Sequence, residues 1–299
     1  MKTRILVTEG KMCFTETHWD KPEPLDDQIE VMSVMTGVCR SDIDMMLGSF
    51  GPLPLEMQGH EGLGIVTKIG KEVKYPVNIG DCVATRGEPA YSDFYNVREK
   101  EFVRVPNIHP RYIVEPVACG INIVNQSLQE ISQRSGPGRR ILILGSGFLA
   151  WVVYNTLLLN HLDFEFTVIG NSNQELWGQR LSKYYGGKFD VVIDLGSRDD
   201  VYTKDILHPE ALVIFGAQKE IKTDFRHLLW NACTMVFPSP RNNKFHKCME
   251  EAVRRIQAEE LVVDSFWSRS YNREIEWQQA FEDGMSRPIN YNRGYIQWG

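Results

Sequence analysis

Two residues with metal-binding side chains, Cys39 and His60, lie within one glycine-rich segment of the chain, residues 36–70. Thiolate sulfur and imidazole nitrogen are ligands that Zn²⁺ prefers, and a carboxylate can complete the set. A catalytic zinc needs three protein ligands and one open position. Glu61, which follows His60 directly, and Glu115 are the candidates for the third ligand. The segment therefore indicates a catalytic zinc site with one carboxylate ligand.

A second pattern with chemical meaning lies at residues 141–150. It begins with the apolar run Ile-Leu-Ile-Leu, which is typical of a buried parallel strand. A glycine-rich turn of the GxGxxA kind follows, and then a helical stretch to about residue 160. Such a strand, turn and helix place a pyrophosphate at the helix N-terminus. We therefore expect a dinucleotide site that includes Gly145, Gly147, Phe148 and Leu149.

The residues after the next strand bear on which dinucleotide is bound. NAD-specific sites usually carry an Asp or Glu there, which bonds the ribose 2′-hydroxyl. This chain has Gly170, Asn171 and Ser172 instead, so no carboxylate repels a 2′-phosphate, and the last two can donate hydrogen bonds to it. Arg180 follows in the next helical turns. This pattern favours NADP(H) over NAD(H), unless Arg180 is only a solvated residue and the site is loosely selective.

Taken in order, these motifs resemble those of the zinc-dependent alcohol dehydrogenases of the medium-chain dehydrogenase/reductase superfamily. Gly59-His60-Glu61, followed by glycines at 64 and 70, is similar to the family's zinc pattern, and residues 36–42 are similar to its first-ligand segment. Residues 114–120, which include Glu115, resemble the polyol and threonine dehydrogenase branch, where a Glu at this place lies at the zinc. The four-cysteine lobe that holds a structural zinc in many members has no counterpart here. The resemblance therefore implies one zinc, and not two.

The resemblance also implies roles for the residues beside Cys39. Ser41 is expected to relay the hydroxyl proton, Asp42 to bond the outer nitrogen of His60, and Arg40 to meet the cofactor pyrophosphate. With Cys39 and His60, Ser41 and Asp42 form the expected catalytic set. At the place where some relatives have a His as the outer relay group, this chain has Asp44. A different reading of Ser41 is that it caps a short helix that runs to Met46.

The length of 299 residues suggests two domains or one large one, and the strand and helix segments indicate an α/β chain. The resemblance implies a GroES-like, β-rich catalytic domain formed by residues 1–118 and 239–299. It implies a Rossmann domain, a doubly wound parallel sheet, at residues 119–238. We expect about five strands there in place of the usual six, so this domain is expected to be trimmed. In the return segment, helices are predicted at residues 244–259 and 274–281.

Composition and charge exclude several classes of function. The chain has 299 residues and a net charge of -6, which argues against a general binder of nucleic acid or of anionic membranes. No segment reaches the apolar length of a membrane helix, and the N-terminus does not resemble a signal peptide. The six cysteines are scattered, without a CxxC pair, which is typical of a reducing compartment. We expect a cytoplasmic protein without nucleic-acid or membrane partners.

The function indicated is a zinc-dependent oxidoreductase that transfers a hydride between NADP(H) and a small alcohol or polyol, or its aldehyde or ketone. One alternative is a zinc-free quinone or enone reductase of the same superfamily, which would lack the Cys/His/Glu set. Another is a non-catalytic nucleotide-binding relative. The intact set of Cys39, His60, Ser41 and Asp42 argues against it. A homodimer is expected, because relatives pair the last sheet strand across a two-fold axis and residues 234–237 would otherwise be an unprotected edge.

Overall fold

The computed structural model describes residues 1–51, 54, 57–196, 203, 205–217 and 225–299. The chain divides into two compact units. One consists of Met1–Ala118 with His246–Gly299, and the other of Cys119–Phe245. The return crossing between the units therefore lies between Phe245 and His246, later in the chain than the 238/239 boundary expected from the sequence.

The first unit begins with strands and one short helix. In chain order these are β1 (Lys2–Val7), β2 (Thr15–Asp20), β3 (Gln28–Val38), α1 (Arg40–Met46), β4 (Gly62–Ile69), β5 (Cys82–Thr85), β6 (Phe94–Arg98) and β7 (Phe102–Arg104). The long strand β3 pairs antiparallel with both β4 and β6. The segment that carries the candidate metal ligands therefore lies at the end of β3 and at the start of β4.

The second unit is built on a parallel sheet. Helix α2 (Glu115–Ser132) leads into it, and its elements are β8 (Arg140–Leu144), α3 (Phe148–Leu159), β9 (Glu165–Ile169), α4 (Gln174–Trp177), β10 (Leu181–Ser182), β11 (Phe189–Asp194), β12 (Leu207–Phe215), α5 (Phe225–Trp230) and β13 (Thr234–Val236). The described strands have the order β10-β9-β8-β11-β12-β13. The expectation of about five strands was wrong, because β10 adds a sixth. It is only two residues long, too short to show as an apolar run.

Strand β8 shows why this sheet needs helices on both faces. Ile141 and Ile143 belong to one apolar core, whereas Leu142 and Leu144 belong to the other. All four side chains are buried. An uninterrupted apolar strand is stable in water only when both faces of its sheet are covered, so the prediction of a buried parallel strand is confirmed.

The return segment completes the first unit with α6 (Phe245–Gln257), β14 (Trp267–Asn272), α7 (Trp277–Ser286) and β15 (Arg293–Gln297). The helix predicted at 274–281 instead begins at Trp277 and ends at Ser286, because residues 273–276 form turns before it. Strand β15 pairs antiparallel with β3, with Gly294 opposite Val38. This pairing brings the start of β15 next to the residues that follow β3.

The α/β class with a parallel-sheet domain is confirmed by this architecture. The described sheets are the parallel one, a seven-stranded sheet of order β14-β15-β3-β4-β5-β7 with β6 on β3, and the β1-β2 pair. Within the described residues, none of the helices has the length and apolar character needed to cross a membrane.

Candidate metal centre

Cys39 lies at the junction of β3 and α1. It is the N-cap residue of α1, and its backbone N–H donates to the Asp42 carboxylate Oδ2 over 2.8 Å. An acidic side chain in the first turn suits the exposed N–H groups at a helix start. Ser41 is therefore not the cap of this helix, since Cys39 occupies that position and Asp42 supplies the capping carboxylate. The backbone of Cys39 is thus fixed at the start of α1.

Three side chains with metal-binding atoms converge at this point. The ligand atoms of Cys39, His60 and Glu61 all lie within 4.8 Å of one another. Glu61 is fully buried, whereas Cys39 and His60 are partly exposed. This is the one group of three such residues within the described part of the chain. The structure therefore brings together three of the four ligands considered from the sequence.

The two ring nitrogens of His60 face different partners. Nδ1 lies 3.6 Å from Asp42 Oδ1, and both atoms are buried without a hydrogen bond. Nε2 lies 3.4 Å from Ser41 Oγ. Burial alone would lower the pKa of His60, but the Asp42 carboxylate, with Cys39 and Glu115, raises this pKa well above its usual value. The imidazole thus has one nitrogen facing the Asp42 carboxylate and the other near the Ser41 hydroxyl.

Glu61 has a partner that the sequence motifs did not reveal. Nη2 of Arg293, at the start of β15, contacts both carboxylate oxygens of Glu61, with 2.6 Å to Oε1. Gly37 lies against the same carboxylate, and a Cβ atom at that position would collide with it. Since Arg293 is far away in the sequence, no local spacing pointed to it.

Glu115, the other candidate ligand, lies outside the three-residue group. It is the first residue of α2, and its side chain is 4% exposed. Its charge still reaches the site, because it contributes to raising the pKa of His60.

Arg40 and Asp44 form a pair on the exposed side of α1. Arg40 Nε donates to Asp44 Oδ1 over 3.0 Å, one helical turn apart. The residue in the place of the outer relay His therefore binds a guanidinium.

The donor set fits the zinc that the resemblance implies. Thiol, imidazole and carboxylate are zinc ligands. A metal-bound His almost always directs its other nitrogen at a carboxylate or carbonyl, as Nδ1 of His60 is directed at Asp42. Nε2 is then the nitrogen that remains for a metal. Cys39, His60 and Glu61 are the residues that could hold one.

The candidate cofactor residues lie at the carboxyl end of β8. Gly145 has a positive φ of 114°, which a residue with a side chain adopts only with strain. Gly147 is the N-cap of the twelve-residue α3 and has no side chain to bond the first turn, which contains Phe148 and Leu149. Backbone N–H groups at such a helix start favour anions. The turn and helix thus have the geometry expected of a pyrophosphate-binding element.

Gly170 is constrained by the glycine-rich turn. A Cβ at Gly170 would lie 2.7 Å from the backbone nitrogen of Ser146, which leaves no room for a side chain. Ser146 Oγ also accepts the N–H of Ser172 and lies 3.0 Å from its hydroxyl. Asn171 is exposed, and Arg180 is exposed with its guanidinium over the Tyr154 ring. The absent carboxylate at Gly170 therefore has a steric basis.

Comparison with known proteins agrees with this architecture. Residues 25–107 match the alcohol dehydrogenase GroES-like domain. The chain is 24% identical over 197 residues to NADP-dependent alcohol dehydrogenase 6 of Saccharomyces cerevisiae, covering 54% of each protein. It is 40% identical over 157 residues to an alcohol dehydrogenase of Schizosaccharomyces pombe, covering 42% of this chain and 44% of the relative. The matched part of this chain thus spans about half the length of these relatives.

A solved structure shares the fold over nearly the whole chain. The cobalt- and zinc-bound thermostable alcohol dehydrogenase of Pyrobaculum aerophilum superposes with a TM-score of 0.77. It is 15% identical and covers 99% of this chain and 100% of that one. The GroES-like and parallel-sheet domains expected from the sequence are confirmed. The chain is thus similar to alcohol dehydrogenases in its GroES-like domain at residues 25–107, and it has the fold of one of them over nearly its whole length.

Proposed function

We propose that this chain holds one zinc ion through Cys39, His60 and Glu61, and transfers a hydride between NADP(H) and a small alcohol or its carbonyl counterpart. The observation that carries the proposal is the convergence of the three ligand atoms within 4.8 Å. The S. cerevisiae relative is NADP-dependent by name, and both curated relatives are alcohol dehydrogenases, which supports this cofactor and substrate class.

The side chains around the ligand group have different roles in the proposed reaction. When bound, Zn²⁺ supplies Lewis-acid polarisation of the substrate oxygen. Ser41 Oγ lies 3.4 Å from His60 Nε2 and is not part of the ligand group. A hydroxyl both donates and accepts, so Ser41 can take the substrate's proton at Oγ or return it. Asp42 fixes the orientation of the imidazole.

The cofactor residues have separate tasks in this proposal. The N–H groups at the start of α3 bind the pyrophosphate, and Gly145 and Gly147 keep side chains out of its way. Asn171 and Ser172 donate to a 2′-phosphate. Arg40 is proposed, from family resemblance, to meet a phosphate oxygen, which requires it to exchange or share its partner Asp44.

The rival functions predict other outcomes. A zinc-free quinone or enone reductase would bind no zinc and reduce conjugated carbonyls. A non-catalytic relative would bind NADPH without turnover. The Cys39–His60–Glu61 group favours the zinc enzyme over both.

The first prediction concerns metal content. Metal-replete protein should contain one zinc per chain, measured by elemental analysis, because one ligand group is present in the described residues. Cys39→Ala should lose the zinc, while Cys82→Ala, a thiol of the same unit outside the group, should keep it. Glu61→Gln should weaken zinc binding more than Glu115→Gln does. A stoichiometry near two, or near zero in wild type, contradicts the proposal.

The second prediction concerns Ser41. Positioned acid–base groups contribute about 10²–10⁴ in rate, so Ser41→Ala should lower the rate of hydride transfer by a factor in that range. Zinc content and NADPH affinity should stay unchanged. Ser49→Ala, which removes an exposed hydroxyl just after α1, is the matched control. Single-turnover absorbance at the nicotinamide band measures the step, and an intact rate in Ser41→Ala defeats the relay role.

The third prediction concerns cofactor choice. Wild type should bind NADPH more tightly than NADH in isothermal titration. Gly170 has no room for a side chain, so the test charge is placed next to it. Asn171→Asp should weaken NADPH binding about tenfold by charge repulsion, with little change for NADH. Gln133→Glu, an equal charge change on an exposed residue near the opposite end of β8, is the control. Tighter binding of NADH by wild type would overturn the preference.

The fourth prediction concerns assembly. Strand β13 ends the described sheet order, and the exposed apolar side chains Leu229, Trp230 and Phe237 lie before and after it in the chain, at 79%, 86% and 66% exposure. We propose a homodimer that pairs this edge across a two-fold axis. Light scattering should give twice the 34.4 kDa chain mass. Trp230→Glu should halve it, whereas Ile275→Glu, an equally exposed apolar residue of the other unit, should not. Wild type at single-chain mass would refute the dimer.

A further inference from the structure

Tyr91 is a buried aromatic residue that belongs to none of the motifs found in the sequence. Its side chain is 0% exposed, and its ring makes edge contacts with Phe14 and Phe281 at centroid distances of 5.8 and 5.3 Å. Gly59 lies against the same ring, and a Cβ there would be 2.6 Å from a ring carbon. Gly59 also has a φ of 76°, so both its backbone and its neighbour require glycine. The position of the Tyr91 ring is therefore closely determined.

The hydroxyl of this fixed ring is directed at Asp42. It donates to Asp42 Oδ2 over 2.8 Å and lies 3.1 Å from the backbone oxygen of Gly37. Oδ2 also accepts the N–H of Cys39 over 2.8 Å. One carboxylate oxygen therefore has two donors, which leaves Oδ1 to face His60 Nδ1.

The Tyr91 hydroxyl remains a donor at every working pH. Burial, with the nearby Asp42 carboxylate, raises the pKa of Tyr91 well above its usual value. A phenol that keeps its proton can hold a carboxylate by a charge-assisted hydrogen bond, which is stronger than a neutral one. Without it, the Cys39 N–H would be the remaining hydrogen-bond donor to the Asp42 side chain in the described structure.

We propose that Tyr91 is a positioning residue of the metal centre. By holding Oδ2 of Asp42, it turns Oδ1 towards His60, so that Nδ1 carries the proton and Nε2 is left for the metal. This inference rests on the proposed zinc site. Partners of this kind behind a ligating His typically change metal affinity 10–100-fold when they are removed.

A purely structural role for Tyr91 is the rival explanation, and the chain offers a matched control for it. Tyr95 is also 0% exposed and lies in the same unit. Its hydroxyl lies 2.8 Å from the Thr85 hydroxyl and is not among the partners of Asp42. Tyr91→Phe and Tyr95→Phe each remove one buried hydroxyl and keep the ring, so both should fold. The decrease in melting temperature should be larger in Tyr91→Phe, because the hydrogen bond it loses is charge-assisted.

The experiment compares metal binding in the full-length wild type and the two variants. Competition with a chelator gives the zinc affinity, and Co²⁺ titration gives an independent affinity with an absorption signature. Tyr91→Phe should bind both ions about 10–100-fold more weakly than wild type, while Tyr95→Phe should match wild type. In metal-free protein, at a pH above the raised pKa of His60 so that the ring is neutral, ¹⁵N shifts of His60 should show the Nδ1–H tautomer in wild type and a mixture in Tyr91→Phe.

Each outcome decides between the two roles. Equal zinc and Co²⁺ affinities in Tyr91→Phe and wild type would overturn the inference, whatever the melting temperatures. A wild type that takes up no zinc would defeat the proposed function, and the His60 shifts of metal-free protein would then decide the question separately. Unchanged shifts in Tyr91→Phe would leave Tyr91 with packing alone. If Tyr91→Phe proved unfolded, Phe14→Leu would replace it, because this variant loosens the packing of the Tyr91 ring and keeps its hydroxyl. The inference would then stand only if the His60 ¹⁵N shifts changed in Phe14→Leu.

Discussion

The buried carboxylate of Asp42 is the interaction on which the candidate site depends. A buried charge costs several kcal/mol unless hydrogen bonds and opposite charges compensate for it. Asp42 is 0% exposed; its Oδ2 accepts from the Cys39 N–H and the Tyr91 hydroxyl, and its Oδ1 faces the imidazole of His60 at 3.6 Å without a hydrogen bond. Because these three groups come from separate parts of the chain, satisfying one carboxylate places Cys39 and His60 next to each other.

A second buried carboxylate connects this centre to the far end of the sequence. Glu61 is enclosed between Gly37 and Arg293, and Arg293 reaches it because β15 pairs with β3. An arginine beside a candidate ligand reduces the charge that this ligand offers a cation, yet it also removes the need for a metal to stabilise Glu61 during folding. The last strand, which holds no ligand itself, sets the electrostatics of the ligand group.

Features that depend on residues close together in the sequence could be predicted, whereas features that depend on contacts between distant residues could not. Cys39 and His60 could be singled out from their residue types and local spacing. The turn after β8 could be predicted from the apolar strand before it and from its glycines. Ser41 was considered as a helix cap because Ser and Asp are both common capping residues. The residue type alone does not show that Asp42 supplies the capping carboxylate at this helix start. Tyr91 and Arg293 were missed, because a long-range contact leaves no periodic pattern near either residue. Strand β10 was missed for a different reason, as two residues are too few to show alternation.

The cofactor element shows how packing adds to an argument from charge. In the sequence, the absence of an acid at Gly170 mattered because a carboxylate would repel a 2′-phosphate. In the structure, Ser146 occupies the space that any side chain at Gly170 would need, and its hydroxyl bonds Ser172. An acid at this position would therefore first have to displace the turn that is proposed to bind the pyrophosphate. The shape of the turn therefore disfavours an acid at Gly170 independently of charge, and placing one there would require changes at Gly170 and Ser146 together.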